Sequence, residues 1–230
     1  MGSLVFGPLT VASYHHVGDR PNQEDFSAVV KRKDGSVLAV LADGMGGFDH
    51  GFEAAQGAVN AFAGAFLASP MRHKASTPAV FEACFDAAHQ AALRAGGGCA
   101  LTAAWTHPDR PEVDLAWAGD VRAFRVSAVG VRANTDVDRP PYARNRLTRS
   151  LGVKGGGGAF TQTYWPFISE RAVVLATDGA WDVPDLDVAT VWKVAPPARA
   201  RLLVDLALGL GAGRGDRDNA SAVVISRELA

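Results

Sequence analysis

No run in the 230-residue chain approaches the roughly 18 uninterrupted apolar residues that a membrane-spanning helix requires, and even Leu202 to Leu210 is broken by Asp205. No export signal is expected either. Met1 to Ser13 has no basic n-region, and the Met1-Gly2 start departs from the myristoylation pattern at Phe6. A cytoplasmic location is the expectation. Cysteine is scarce: Cys84 and Cys99 lack a CxxC spacing and fall in a predicted helix and a predicted strand, so both read as reduced core residues rather than a disulfide or a nucleophile. Excess charge of one sign is also lacking. With 23 Lys and Arg against 24 Asp and Glu, nothing favours nucleic acid or an anionic membrane as partner. There is no internal repeat. Gly96 to Gly98 and Gly155 to Gly158 read as loops rather than linkers, which leaves a single domain over residues 1–230.

What is present is enough apolar material, 48% of residues, to build one sizeable core. Val37 to Ala42 is a short apolar run that stops at Asp43-Gly44, as a buried strand does at a turn. Two helices are expected next. Glu53 to Phe66 spaces Ala54, Ala58, Phe62 and Phe66 along one face, and Thr77-Pro78 suits an N-cap and first helical position before Val80 to Leu93. From Cys99 the pattern turns strand-rich: Cys99 to Trp105, Val113 to Trp117, Arg122 to Val126, Phe160 to Trp165 and Val173 to Ala176. Consecutive strands imply antiparallel pairing, and a helix over Ala198 to Leu210 with a strand over Ala222 to Ser226 closes an α+β arrangement.

The acids fall where those strands end. Asp43 and Asp178 each follow an apolar strand and precede Gly, Asp120 sits in a Gly-Asp turn, and Asp218 opens the last strand. Any one of them alone is an ordinary solvated turn. Gathered together, carboxylates held rigidly at strand ends suit hard cations such as Mg²⁺ or Mn²⁺, which prefer oxygen ligands.

In order along the chain, Arg20-Pro-Asn-Gln-Glu24-Asp25, Ala42-Asp43-Gly-Met-Gly-Gly47, Gly119-Asp120-Val-Arg122, Asp178-Gly-Ala-Trp-Asp182 and Asp218-Asn219 resemble the motifs of the metal-dependent protein phosphatases, the protein phosphatase 2C type. Gly51-Phe-Glu-Ala-Ala55 and Leu147-Thr-Arg-Ser-Leu-Gly152 match weaker stretches of the same family, so the resemblance covers nearly the whole chain. It implies a four-layer α-β-β-α sandwich with two central antiparallel sheets and a metal centre at one end. It also implies roles. Asp43 would bridge two Mn²⁺ or Mg²⁺ ions, the Gly44 carbonyl would bind the first, and Asp178 and Asp218 would bind the second. Glu24 and Asp25 would hold water around the metals, Asp120 and Asp182 would join Asp178 in a third, weaker site, and Arg20 would grip the substrate phosphate.

Phosphate monoesters hydrolyse so slowly in water that enzymes accelerate the reaction by up to ~10²¹, which calls for a strong nucleophile and charge neutralisation together. Two metals can supply both, and the planar guanidinium of Arg20 can meet two phosphate oxygens at once. Some positions depart from the family. Met45 stands where eukaryotic members carry a histidine, none of the six histidines lies in a recognised motif, and the segment Val131 to Leu147, which corresponds to the substrate-bordering flap, is short. Within it Asp136, Asp138 and Arg139-Pro140-Pro141 read as a rigid turn with solvated charges. The resemblance implies a phosphoserine/phosphothreonine phosphatase that acts on phosphorylated proteins and opposes a serine/threonine kinase. A non-catalytic regulatory module of the same fold and a two-metal phosphodiesterase are the competing readings.

Overall fold

The computed structural model describes residues 2–45, 50–69, 77–107, 110, 112–127, 130–140, 146–154, 159–166, 170–182, 188–211 and 217–227. Strands and helices follow in the order β1 (Gly2–Phe6), β2 (Leu9–His16), β3 (Asp25–Lys31), β4 (Val37–Gly44), α1 (Gly51–Ala68), α2 (Thr77–Ala95), β5 (Cys99–Thr106), β6 (Glu112–Ala118), β7 (Arg122–Ser127), β8 (Gly130–Ala133), β9 (Thr161–Pro166), β10 (Glu170–Ala176), α3 (Asp178–Trp181), α4 (Val188–Val191), α5 (Arg199–Gly211) and β11 (Ala220–Arg227). They form one sheet in the order β1-β2-β11-β10-β7-β8 and a second in the order β3-β4-β5-β6-β9. Every pairing is antiparallel.

Three apolar layers hold the sandwich together, and β4 shows why its sequence reads as an unbroken apolar run. Successive side chains alternate between faces. Leu38, Val40 and Ala42 pack outward against Ala58, Phe62 and Phe66 of α1 and Phe81 and Phe85 of α2. Val37, Ala39 and Leu41 point the other way, onto Val173 and Leu175 of β10 and Val223 and Ile225 of β11. The outer face of the first sheet is covered by α5, whose Leu203, Val204 and Leu208 join Val174, Ala222 and Val224. The expected α-β-β-α layering is therefore present. Cys84 and Cys99 are buried, free thiols, as expected, and burial pushes the Cys84 thiol up to about 12. No described helix is long and apolar enough to cross a membrane.

Two expectations need correction. Strands β1, β2, β3 and β8 lie where no strand was expected; β1 and β8 are largely exposed and carry no alternating pattern, and β2 pairs with β11, some 200 residues away. Adjacent strands also do not always pair. After β6 the chain crosses from one sheet to the other and β7 pairs with β10, so the Gly119-Asp120 turn bridges the two sheets rather than closing a hairpin. Gly119 makes that crossing at φ 103°, and a Cβ there would lie 2.4 Å from Ala100 Cβ.

Candidate active site

The site grows out of one end of the layer between the sheets. Antiparallel register sets Asp25 directly opposite Asp43, so both side chains extend the inward face that carries Val29 and Leu41 further along the same strands. Opposite them, Thr177 at the end of β10 donates its Oγ1 hydroxyl to Asp25 Oδ2 at 3.1 Å and accepts the Ser221 N–H at 3.0 Å. Asp178 follows as the first residue of α3. The apolar layer thus gives way to a polar end, and a cavity of about 460 Å³ opens there, lined by Arg20, Asp43, Asp120, Asp178, Asp182 and Asp218 among others. Glu24 lines it too, whereas Asp25 lies just behind, 2% exposed.

Gly44 permits the close packing beneath this cavity. A Cβ on it would stand 2.5 Å from the Gly51 carbonyl oxygen and 2.8 Å from that of Glu24, whose carbonyl already accepts the Gly44 N–H at 3.1 Å. The loop carrying Arg20 and Glu24 is tied down from the other end of the chain. The Asn219 side chain accepts the Glu24 N–H at 2.6 Å and donates to the carbonyls of Val17 at 2.8 Å and Asn22 at 3.0 Å. Arg217 grips the Asp19 carboxylate with two nitrogens, at 2.8 and 2.6 Å, which holds the Asp19 carboxyl down to about 2. Arg20 therefore pairs with neither Asp19 nor Glu24; it reaches Asp218 Oδ2 at 2.8 Å, and both side chains are nearly half exposed.

The sequence-identified acids also surround a residue that was not foreseen. Arg139 lies within the cluster, with Nε 3.1 Å from Asp120 Oδ2, Nη2 3.6 Å from Asp178 Oδ2 and Nη1 3.8 Å from Asp182 Oδ2, and its side chain is only 9% exposed. The expectation of solvated charges in this turn is thus wrong for Arg139, and also for Asp138. The latter accepts two nitrogens of Arg149, at 2.9 and 2.6 Å, and the Gly119 N–H at 2.9 Å. Nothing in the local sequence says which acids a lone Arg before Pro140 will meet; the following proline only biases Arg139 toward extended backbone. Asn219 was visible as half of a motif, but its three loop contacts were not.

Crowding raises the acids together. Burial, and then the neighbouring carboxylates Asp25, Asp178, Asp120 and Asp218, push Asp43 well above the ordinary carboxylate range. Burial raises Asp25 to about 7 despite the opposing effect of the Ser221 and Thr177 hydroxyls, and raises Asp178 to about 6, with Asp120 and Asp218 adding and Arg139 opposing. Asp120 and Glu24 are raised chiefly by burial too. Such a cluster is short of positive charge. The donors are all hard oxygens, and Asp25 Oδ1 is buried without a hydrogen-bond partner, so Asp43, the Gly44 carbonyl, Asp178 and Asp218 fit hard divalent cations. Among the described residues no three acidic, imidazole or thiol groups already converge on one point at ligating distance.

A family model for protein phosphatase 2C matches residues 12–198. The chain belongs to that family. Its class is that of the serine/threonine phosphoprotein phosphatases. Several solved structures share the fold of this protein phosphatase 2C chain. The S. agalactiae serine/threonine phosphatase superposes with a TM-score of 0.83 at 19% identity, over 96% of this chain and 100% of that one. Stp1 from Staphylococcus aureus gives 0.82 at 18% identity over 95% of each chain, and PppA from Pseudomonas aeruginosa gives 0.72 at 24% identity over 99% and 100%. No curated protein matches this sequence.

Proposed function

We propose that this protein hydrolyses phosphoserine and phosphothreonine monoesters in proteins by direct attack of water, with Mn²⁺ or Mg²⁺ as cofactor and no covalent intermediate. The observation that carries the reading is the oxygen-only acid cluster, with Asp25 and Asp43 in cross-strand register, at the base of a cavity whose rim carries Arg20. Asp43 and the Gly44 carbonyl would hold one ion, and Asp43, Asp178 and Asp218 a second, with Glu24 and Asp25 hydrogen-bonding around them. When bound, such ions neutralise phosphoryl oxygens and make water nucleophilic near neutral pH.

The chain's own residues supply binding and orientation. Arg20 is exposed enough to exchange its Asp218 contact for a substrate phosphate, where its fork can engage two oxygens. Asp25 Oδ1, buried just behind the cavity and without a partner, is free to accept a proton or a hydrogen bond there. Among the described residues the cavity lining contains no histidine, so we assign the leaving-group proton to water. The substrates would be phosphoproteins made by an opposing serine/threonine kinase.

Paired assays of p-nitrophenyl phosphate, its diester and a phosphopeptide panel test the reading. Monoester and phosphopeptide cleavage that requires added Mn²⁺, vanishes on chelation and returns on re-addition is the expected result. Full activity after exhaustive chelation would overturn the metal assignment. Preferred diester cleavage would make it a phosphodiesterase, and metal binding without turnover would make it a regulatory module.

A further inference from the structure

We infer that the Arg139 guanidinium takes the place of a third metal ion, so that Asp120, Asp178 and Asp182 surround a built-in cation and the protein binds two divalent ions rather than three. The inference rests on the metal-dependent reading above for the other two ions. Three carboxylates from two separate elements, the Gly119-Asp120 crossing and α3 with its C-terminal flank, converge on one guanidinium, each through a different nitrogen, at 3.1, 3.6 and 3.8 Å. A Mg²⁺ or Mn²⁺ ligated by these acids would need oxygens at about 2.0 to 2.6 Å. That volume is where the guanidinium stands, and the permanent charge of arginine would repel the ion.

Arg139 is held in position from several sides. Its guanidinium lies over the Trp181 ring, 5.3 Å from the centroid, and Trp181 in turn donates its indole N–H to the Asp120 carbonyl at 3.2 Å. The residue just before it is fixed by the Arg149 fork and by two contacts with Gly119, since the Asp138 N–H donates to the Gly119 carbonyl at 3.0 Å. A side chain that is 9% exposed, lies over the Trp181 ring and follows an anchored residue has less freedom among the acids than a surface arginine has. By this geometry Arg139 is a positioning residue: it offsets the charge of Asp178, a ligand of the second ion, and sets which way that carboxylate turns.

Counting ions tests this without depending on turnover. Equilibrium dialysis of the full chain against Mn²⁺, with electron paramagnetic resonance of the free ion, should find two bound ions per chain. Arg139→Ala should gain a third, and Arg139→Ala/Asp120→Ala should lose it again. Arg139→Lys, which keeps the charge with a smaller head, should stay at two and guards against an alanine variant that fails to fold. Three ions in the unmodified protein, or two in folded Arg139→Ala, would overturn the inference while leaving the metal-dependent phosphatase reading intact. No bound ion in the unmodified protein would overturn both.

Discussion

Asn219 offers the sharpest test of how the site is assembled, because one side chain near the C-terminus holds a loop near the N-terminus. Asn219→Ala removes three hydrogen bonds at a residue only 5% exposed: those with the Glu24 N–H and with the Val17 and Asn22 carbonyls. At about 1 kcal/mol net for each bond, the loss is about 3 kcal/mol, and backbone groups left dry and unpaired would raise it. For a chain of this size 1 kcal/mol corresponds to about 2 to 4 °C, so the melting temperature should fall by about 6 to 12 °C. Thermal unfolding followed by circular dichroism in excess chelator measures this free of metal effects. Asn219→Asp is the informative companion, since it keeps the acceptor for Glu24 but loses both donors and adds a carboxylate to an acidic cluster; it should also destabilise. A fall of less than about 2 °C for Asn219→Ala would refute the reasoning, for it would mean that water replaces these contacts without cost.

Three further outcomes follow from the same geometry. Asp43→Asn should abolish turnover even at saturating substrate and metal, because the residue is assigned to both ions; near-normal kcat would remove it from that role. Arg20→Ala should raise KM for phosphopeptides by roughly ten- to a hundred-fold, the worth of a charge-assisted contact of about 1.5 to 3 kcal/mol, with a smaller change in kcat, and a large kcat loss at constant KM would make it a transition-state group instead. His15 links the sheets through Ser221 and Ser27 hydroxyls at 2.8 Å each, and burial lowers it to about 4 from 6.5. Its unfolded form therefore binds the extra proton first, so its contribution is intact above pH ~6.5 and is lost as pH falls toward ~4, up to about 3 kcal/mol. Urea midpoints of the wild type and His15→Gln should converge over that window, other groups cancelling in the difference; a constant gap would refute the assignment.

Much of this protein was legible along the chain because its strands and acids advertise themselves locally. An apolar run buried on both faces, as in β4, needs no partner to be recognised, and the spacing of Ala54, Ala58, Phe62 and Phe66 marks the buried face of α1 whatever it packs on. The ordered motifs around Asp43, Asp120, Asp178 and Asp218 identify the family from residue type and order alone. Other features exist only in three dimensions. The exposed strand β1 and the register of Asp25 with Asp43 depend on pairing, which local composition does not encode. That the chain changes sheets after β6 follows from how the whole sandwich closes, and this crossing carries Asp120 to the cavity. Arg139 is the clearest case. Its sequence neighbours suggest a solvated turn, yet the fold brings together Asp120, Asp178 and Asp182 around its guanidinium, and the repulsion among three neighbouring carboxylates, one of them buried, is offset by a cation that the tertiary structure draws from the chain itself.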